Sequence, residues 1–63
     1  MQRKTCYFYE VPQGKVFFYG NDEYVKTDKL SRNAFRVSDG LPKYFYVNTE
    51  VEIEEWVLQN FTS

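Results

Sequence analysis

The sequence predicts an all-β fold: a small antiparallel meander or SH3-like barrel of five or six strands, with room for a short helical turn at the C-terminus. Three observations carry this. Thirteen of the 63 residues are aromatic, and aromatic and β-branched side chains suit a pleated, half-buried surface. The aromatics fall in short bursts: Cys6-Tyr7-Phe8-Tyr9, Val16-Phe17-Phe18-Tyr19, Tyr24-Val25 and Tyr44-Phe45-Tyr46-Val47. Turn residues separate the bursts at the spacing expected of a small sandwich or barrel.

Residues 3–9 read as a first strand, ended by the turn Val11-Pro12-Gln13-Gly14. Proline sets one backbone angle there and glycine permits a positive one. Residues 15–19 and 23–27 form two strands joined by Gly20-Asn21-Asp22, residues that tolerate the left-handed conformations of a tight hairpin. The polar stretch 28–32 is a loop or one helical turn. Strands follow at 33–38 and 43–47, with Asp39-Gly40 as the hairpin signal between them. Asn48-Thr49 turns the chain again. Glu50-Val51-Glu52-Ile53-Glu54 then alternates strictly, which is a strand with Val51 and Ile53 inward. That strand is expected to run to about Trp56, although Trp56, Val57 and Phe61 are also spaced for one helix face. Val16 or Phe17, Tyr24 or Val25, Val37, Val51 and Ile53 are the expected core.

One domain, residues 1–63, accounts for the length. A chain of this size buries only about 60% of its unfolded surface, and such scaffolds usually need staples. One cysteine and no histidine leave neither a disulfide nor a metal staple within a single copy. The aromatics must supply the core, or a second copy must help. Cys6 lies in an apolar run and reads as a small buried hydrophobe. A reactive thiol would need a nearby cation, and Lys4, two residues away on the same strand face, is weak support. The unpaired cysteine, the lack of a secretory signal and the lack of a long apolar run point to a soluble protein of the cytoplasm. Asn60-Phe61-Thr62 matches the glycosylation pattern by chance under that reading.

Net charge is −1, which argues against a general electrostatic nucleic-acid binder. The charge is unevenly placed. Residues 1–43 hold all eight bases and five acids, whereas residues 44–63 hold four acids and no base. Either the acidic segment meets a partner, or the first and last strands are neighbours and Arg3 and Lys4 lie beside Glu52 and Glu54.

Catalysis is not expected. Without histidine the commonest general base and metal ligand is missing, and no Cys–His or Ser–His pair can be built. No cofactor or metal is implied. Glu50, Glu52 and Glu54 share one strand face about 6.5–7 Å apart. They are read as a solvated face on an open edge strand, with an acidic contact to a partner as the functional alternative.

The segments Gly14-Lys15-Val16-Phe17, Tyr24-Val25-Lys26-Thr27, Asn33 to Gly40 and Asn48-Thr49-Glu50-Val51 resemble short uncharacterised β-rich proteins of bacteriophages and prophages. The resemblance implies a compact β-meander or SH3-like barrel and a viral origin, and no defined activity. The doubled aromatics at Phe17-Phe18 and Tyr44-Phe45-Tyr46 depart from the more polar pattern of those proteins.

Two function classes remain. A non-catalytic binding module, an accessory or inhibitor protein acting on a host or viral protein in the host cytoplasm, is favoured because Tyr, Phe, Trp and Arg are enriched at interface centres. The aromatics exceed what one small core can enclose, so a surface patch is expected from Tyr7, Tyr9, Phe18, Tyr44 and Tyr46. Its occupant is a protein partner or a second copy. The alternative is a single-stranded nucleic-acid barrel, with Lys15, Lys26, Arg36 and Lys43 lining one face. A minor virion component is a third class.

Overall fold

A computed structural model describes residues 2–57. Six antiparallel strands form one sheet: β1 (Arg3–Tyr7), β2 (Val16–Tyr19), β3 (Asp22–Lys26), β4 (Ala34–Arg36), β5 (Pro42–Lys43) and β6 (Glu50–Glu54). Their order across the sheet is β1-β6-β2-β3-β4-β5. The all-β class and the strand count agree with the sequence. The ladder is open, with β1 and β5 as its edges.

The alternation of each strand sorts its side chains. Register pairs Cys6 with Val51, Phe17 with Tyr24 and Lys26 with Ala34. Cys6, Phe17, Tyr24, Ala34, Val51 and Ile53 thereby share the core face and are buried. Phe8, Val11, Phe45 and Val57 complete the core from outside the strands. Val37, expected inside, is exposed. β4 ends at Arg36, and Val37 starts the turn to β5, where only its backbone is held, by a bond to the Glu23 carbonyl of 2.9 Å.

Besides β4, strands β1, β5 and β6 stop short of their expected ends. β1 stops at Tyr7 because residues Phe8–Glu10 coil into a 3-10 turn that drops the Phe8 ring into the core. The Glu10 carboxylate accepts the Tyr7 amide at 2.8 Å, and the Lys26 ammonium donates to the Phe8 and Val11 carbonyls at 3.1 and 2.8 Å. Groups that a continuing strand would have paired are thus satisfied by side chains, one from the turn itself and one from β3. Of the strand expected at 43–47 only Lys43 is in β5, which begins one residue earlier at Pro42, and residues 44–46 have no ladder partner. β6 ends at Glu54, where a helical turn begins at residues 55–57, so Trp56 is not in the strand. The glycosylation pattern at 60–62 and the remainder of the tail lie outside the described residues.

What replaces the missing strand is a side chain. Asn33 Nδ2 donates to the Phe45 carbonyl at 2.8 Å, and the Phe45 amide donates to Asn33 Oδ1 at 2.8 Å. The carboxamide imitates a strand neighbour. It holds Phe45 over the core face, where its ring meets Phe8, Phe17, Tyr19 and Tyr24 at centroid distances of 5.1–5.4 Å. Three of these contacts are edge-to-face, the arrangement that aligns ring edges with ring faces.

The hairpins are set by glycine. Tyr19 pairs with Asp22 across a two-residue loop in which Gly20 alone has a positive φ, +62°. That is the pattern of a type II′ turn, whose twist suits the flanking strands.

Asn33→Ala removes both bonds to Phe45 and leaves two part-buried backbone groups unpaired. The expected loss is about 1–3 kcal/mol, lowering Tm by about 4–8 °C for each kcal/mol. Urea unfolding checks it. A loss below about 0.5 kcal/mol would show that the ring contacts alone hold the segment.

Candidate functional site

The alternation that sends Phe45 inward sends Tyr44 and Tyr46 outward. The two rings meet at 5.3 Å in a perpendicular pair. A second pair forms where β1 enters the 3-10 turn: Tyr7 and Tyr9 stack at 5.7 Å with an interplanar angle of 11°. All four tyrosines are exposed. The 3-10 turn is bonded to the segment before β6 by Phe8 N–H to Thr49 O at 2.8 Å and Tyr9 N–H to Val47 O at 3.1 Å. These bonds bring the pairs to one end of the molecule.

Tyr9 and Tyr44 meet across a groove of about 330 Å³, whose walls also include Leu30, Val47, Lys26 and Lys29. Sequence reasoning did not single out Leu30, Val47 or Lys29. Leu30 is 92% exposed. It sits on the loop 27–33, whose neck is closed by Thr27 N–H to Asn33 O at 2.9 Å and Thr27 Oγ1–H to Arg32 O at 2.8 Å. A lone leucine in a polar loop gives no periodicity, so no pattern could flag it.

Phe18, the fifth expected contact, lies elsewhere. It is on the outer face of the sheet opposite Glu23 and Glu52, and the Arg3 guanidinium stacks over its ring at 3.7 Å. The same outer face carries an apolar row in register, Val16, Val25, Phe35 and Pro42.

Glu50, Glu52 and Glu54 share one face of β6, as the alternation required. β6 is not an edge strand. β1 and β2 flank it, because the chain's two ends pair along Arg3–Tyr7. Glu52 pairs with Arg3 at 3.6 Å, and Glu54 accepts the Trp56 indole N–H at 3.2 Å. Lys4 does not join them. It stands opposite Ile53, on the other face of the strand. Among the described residues no group of three or more Cys, Asp or Glu gathers to hold a metal, and no helix is long and apolar enough to cross a membrane.

The cations divide by what they already hold. Burial pushes the Lys26 ammonium below its usual pKa, against the nearby Cys6. The ammonium is tied to two carbonyls and lies 4.6 Å over the Phe8 ring. Arg36 makes a two-pronged bond to Asp39, Nε at 3.1 Å and Nη2 at 2.7 Å, and reaches Asp22 at 3.6 Å. Lys43 stands over the Phe45 ring at 5.5 Å. By contrast, Lys29 and Arg32 form no ion pair among the described residues. Cys6 is buried, and burial first, then Glu10, raises its thiol pKa against the lowering pull of Lys26 and Lys4. Burial thus outweighs the cations, which is the condition of a packing thiol and not of a nucleophile.

The hydrogen bond from Arg36 and the backbone bond from Leu41 hold the Asp39 carboxyl below its ordinary value of 3.8. The unfolded chain therefore takes up this proton first. Its stabilising effect is complete above the unfolded value and is lost as pH falls through the folded one. Asp39→Asn is expected to lower stability at neutral pH and to flatten the acid limb of a stability–pH curve. An unchanged acid limb in the variant would assign that limb to other carboxylates.

In comparisons with known proteins, no family model, no curated protein and no solved structure matches this chain.

Proposed function

We propose that this chain is a small non-catalytic binding module that docks on another protein through its tyrosine-rich end. It would act in the host cytoplasm as an accessory or inhibitor protein. The observation that carries this is the convergence of two exposed tyrosine pairs on one groove through Tyr9 and Tyr44. Tyrosine offers broad contact area at low entropic cost and a hydroxyl that tolerates water before docking. Contiguous exposed apolar surface usually marks an interaction site.

The nucleic-acid alternative draws less support from the geometry. Of its four cations, Lys26 and Arg36 are held by the chain's own oxygens, and Lys43 stands over a ring. The tyrosine rings pack against each other and do not offer a row of parallel open faces to successive bases.

The test is capture of partners from host lysate with and without nuclease. The Tyr9→Ala/Tyr44→Ala double variant is compared with Phe18→Ala. A central contact is expected to cost on the order of 2 kcal/mol of binding when truncated. The double variant should lose the captured protein while its Tm stays near that of the parent, and Phe18→Ala should keep it. Nuclease-sensitive capture, or capture that survives the double variant, would overturn the proposal.

A further inference from the structure

The groove is asymmetric in charge as well as apolar. Lys29 lines it beside Leu30 and also borders the neighbouring hollow formed with Arg32, Phe35 and Pro42. Both side chains are exposed and form no ion pair among the described residues. Both are carried by loop 27–33, whose neck is closed by hydrogen bonds. Asp28 is the acid on the groove wall. The ammonium of Lys26 is directed instead to the Phe8 and Val11 carbonyls. Glu50, Glu52 and Glu54 lie on the outer face of β6, and Arg3 and Trp56 engage two of them. Loop 27–33 thus carries two cations without an ion pair against one acid, around a leucine that is 92% exposed, while Glu10, next to Tyr9, accepts the Tyr7 amide.

From this arrangement we infer that the occupant is an acidic peptide segment of the partner protein, anchored by one bulky apolar side chain. The inference rests on the docking role proposed above and narrows it. The anchor enters between Tyr9, Tyr44, Val47 and Leu30. A volume of about 330 Å³ is at the small end for a ligand pocket and suits a single large side chain. Carboxylates before or after the anchor reach Lys29 and Arg32 across the loop. Arginine adds a planar fork that can take a carboxylate through two hydrogen bonds. Exposed pairs of this kind set encounter rate and choice of partner more than raw affinity. The apolar anchor supplies the affinity, and the loop cations select the acidic sequence.

A membrane would meet the same leucine and cations, but it would face a convex tip and leave the groove unused. A single nucleic-acid strand needs a row of parallel ring faces and a run of free cations, whereas the tyrosines pair with each other and Lys26, Arg36 and Lys43 engage the chain's own oxygens and a ring.

The experiment is an amide chemical-shift titration of the whole chain with short capped peptides. The first has aspartates and glutamates around a central phenylalanine. The second replaces those acids with serine, the third replaces the phenylalanine with alanine. Oligothymidylate and anionic vesicles are further arms. The acidic phenylalanine peptide is expected to shift the amides of Tyr9, Leu30, Tyr44 and Val47. The Lys29→Glu/Arg32→Glu variant, both sites exposed, should weaken it at least about tenfold, with the shift map otherwise unchanged. Equal binding of the serine peptide, unaffected by that variant, would overturn the acidic selection and leave the docking groove standing. No shift at the groove with any peptide at millimolar concentration would remove both. Shifts at the groove with oligothymidylate or vesicles but not with peptide would replace the peptide by that ligand.

Discussion

The fold depends on holding Phe45 in place. Its ring touches four others, drawn from the 3-10 turn, β2 and β3. No strand supplies its backbone partners, so the Asn33 carboxamide does. Leaving the part-buried amide and carbonyl unpaired would cost about 1–3 kcal/mol together. One side chain with both a donor and an acceptor solves this. The same constraint decides the exterior. Once Phe45 points in, alternation commits Tyr44 and Tyr46 to solvent.

A second backbone problem is solved by charge. The 3-10 turn that ends β1 leaves carbonyls facing inward at Phe8 and Val11, and Lys26 reaches them from β3. Burial disfavours that ammonium, and the carbonyl bonds and the Phe8 ring compensate. Arg3 is similarly absorbed by Phe18 and Glu52, and Arg36 by Asp39 and Asp22. A basic residue in the sequence is therefore a poor guide to a basic surface here. Most of the cations near the core serve the chain's own oxygens and rings. The two on loop 27–33 stand clear because their loop is fixed by Thr27 and backbone bonds, not by their side chains.

Pairing the chain's first and last strands has a structural consequence for the acids. β6 becomes interior, so its glutamates no longer guard an edge, and the edges fall to β1 and β5. β5 is two residues long and begins with proline, which offers little to a passing strand. At β1, Glu10 covers the Tyr7 amide and Arg3 and Lys4 supply charge.

The class, the hairpin positions and part of the core are legible in the residues alone. Those features are local: turn residues and two-residue alternation report on their own neighbourhood, and Val51 and Ile53 follow from it directly, while the doubly apolar strands β2 and β3 left Val16 or Phe17 and Tyr24 or Val25 open until packing chose Phe17 and Tyr24. The sequence also indicated that aromatics would spill onto the surface, since one small core cannot enclose thirteen of them. Which ones spill out depends on long-range packing. Tyr9, with Tyr7 stacked on it, was brought beside Tyr44 by backbone bonds between segments far apart in the chain, while Phe18 was left under the Arg3 guanidinium, away from the groove. Val37 was lost from the core because β4 is three residues long. Leu30 and Lys29 joined the groove through a loop whose sequence carries no pattern. Such placements depend on which distant backbone groups find partners, and pairing across the chain leaves no period in the sequence.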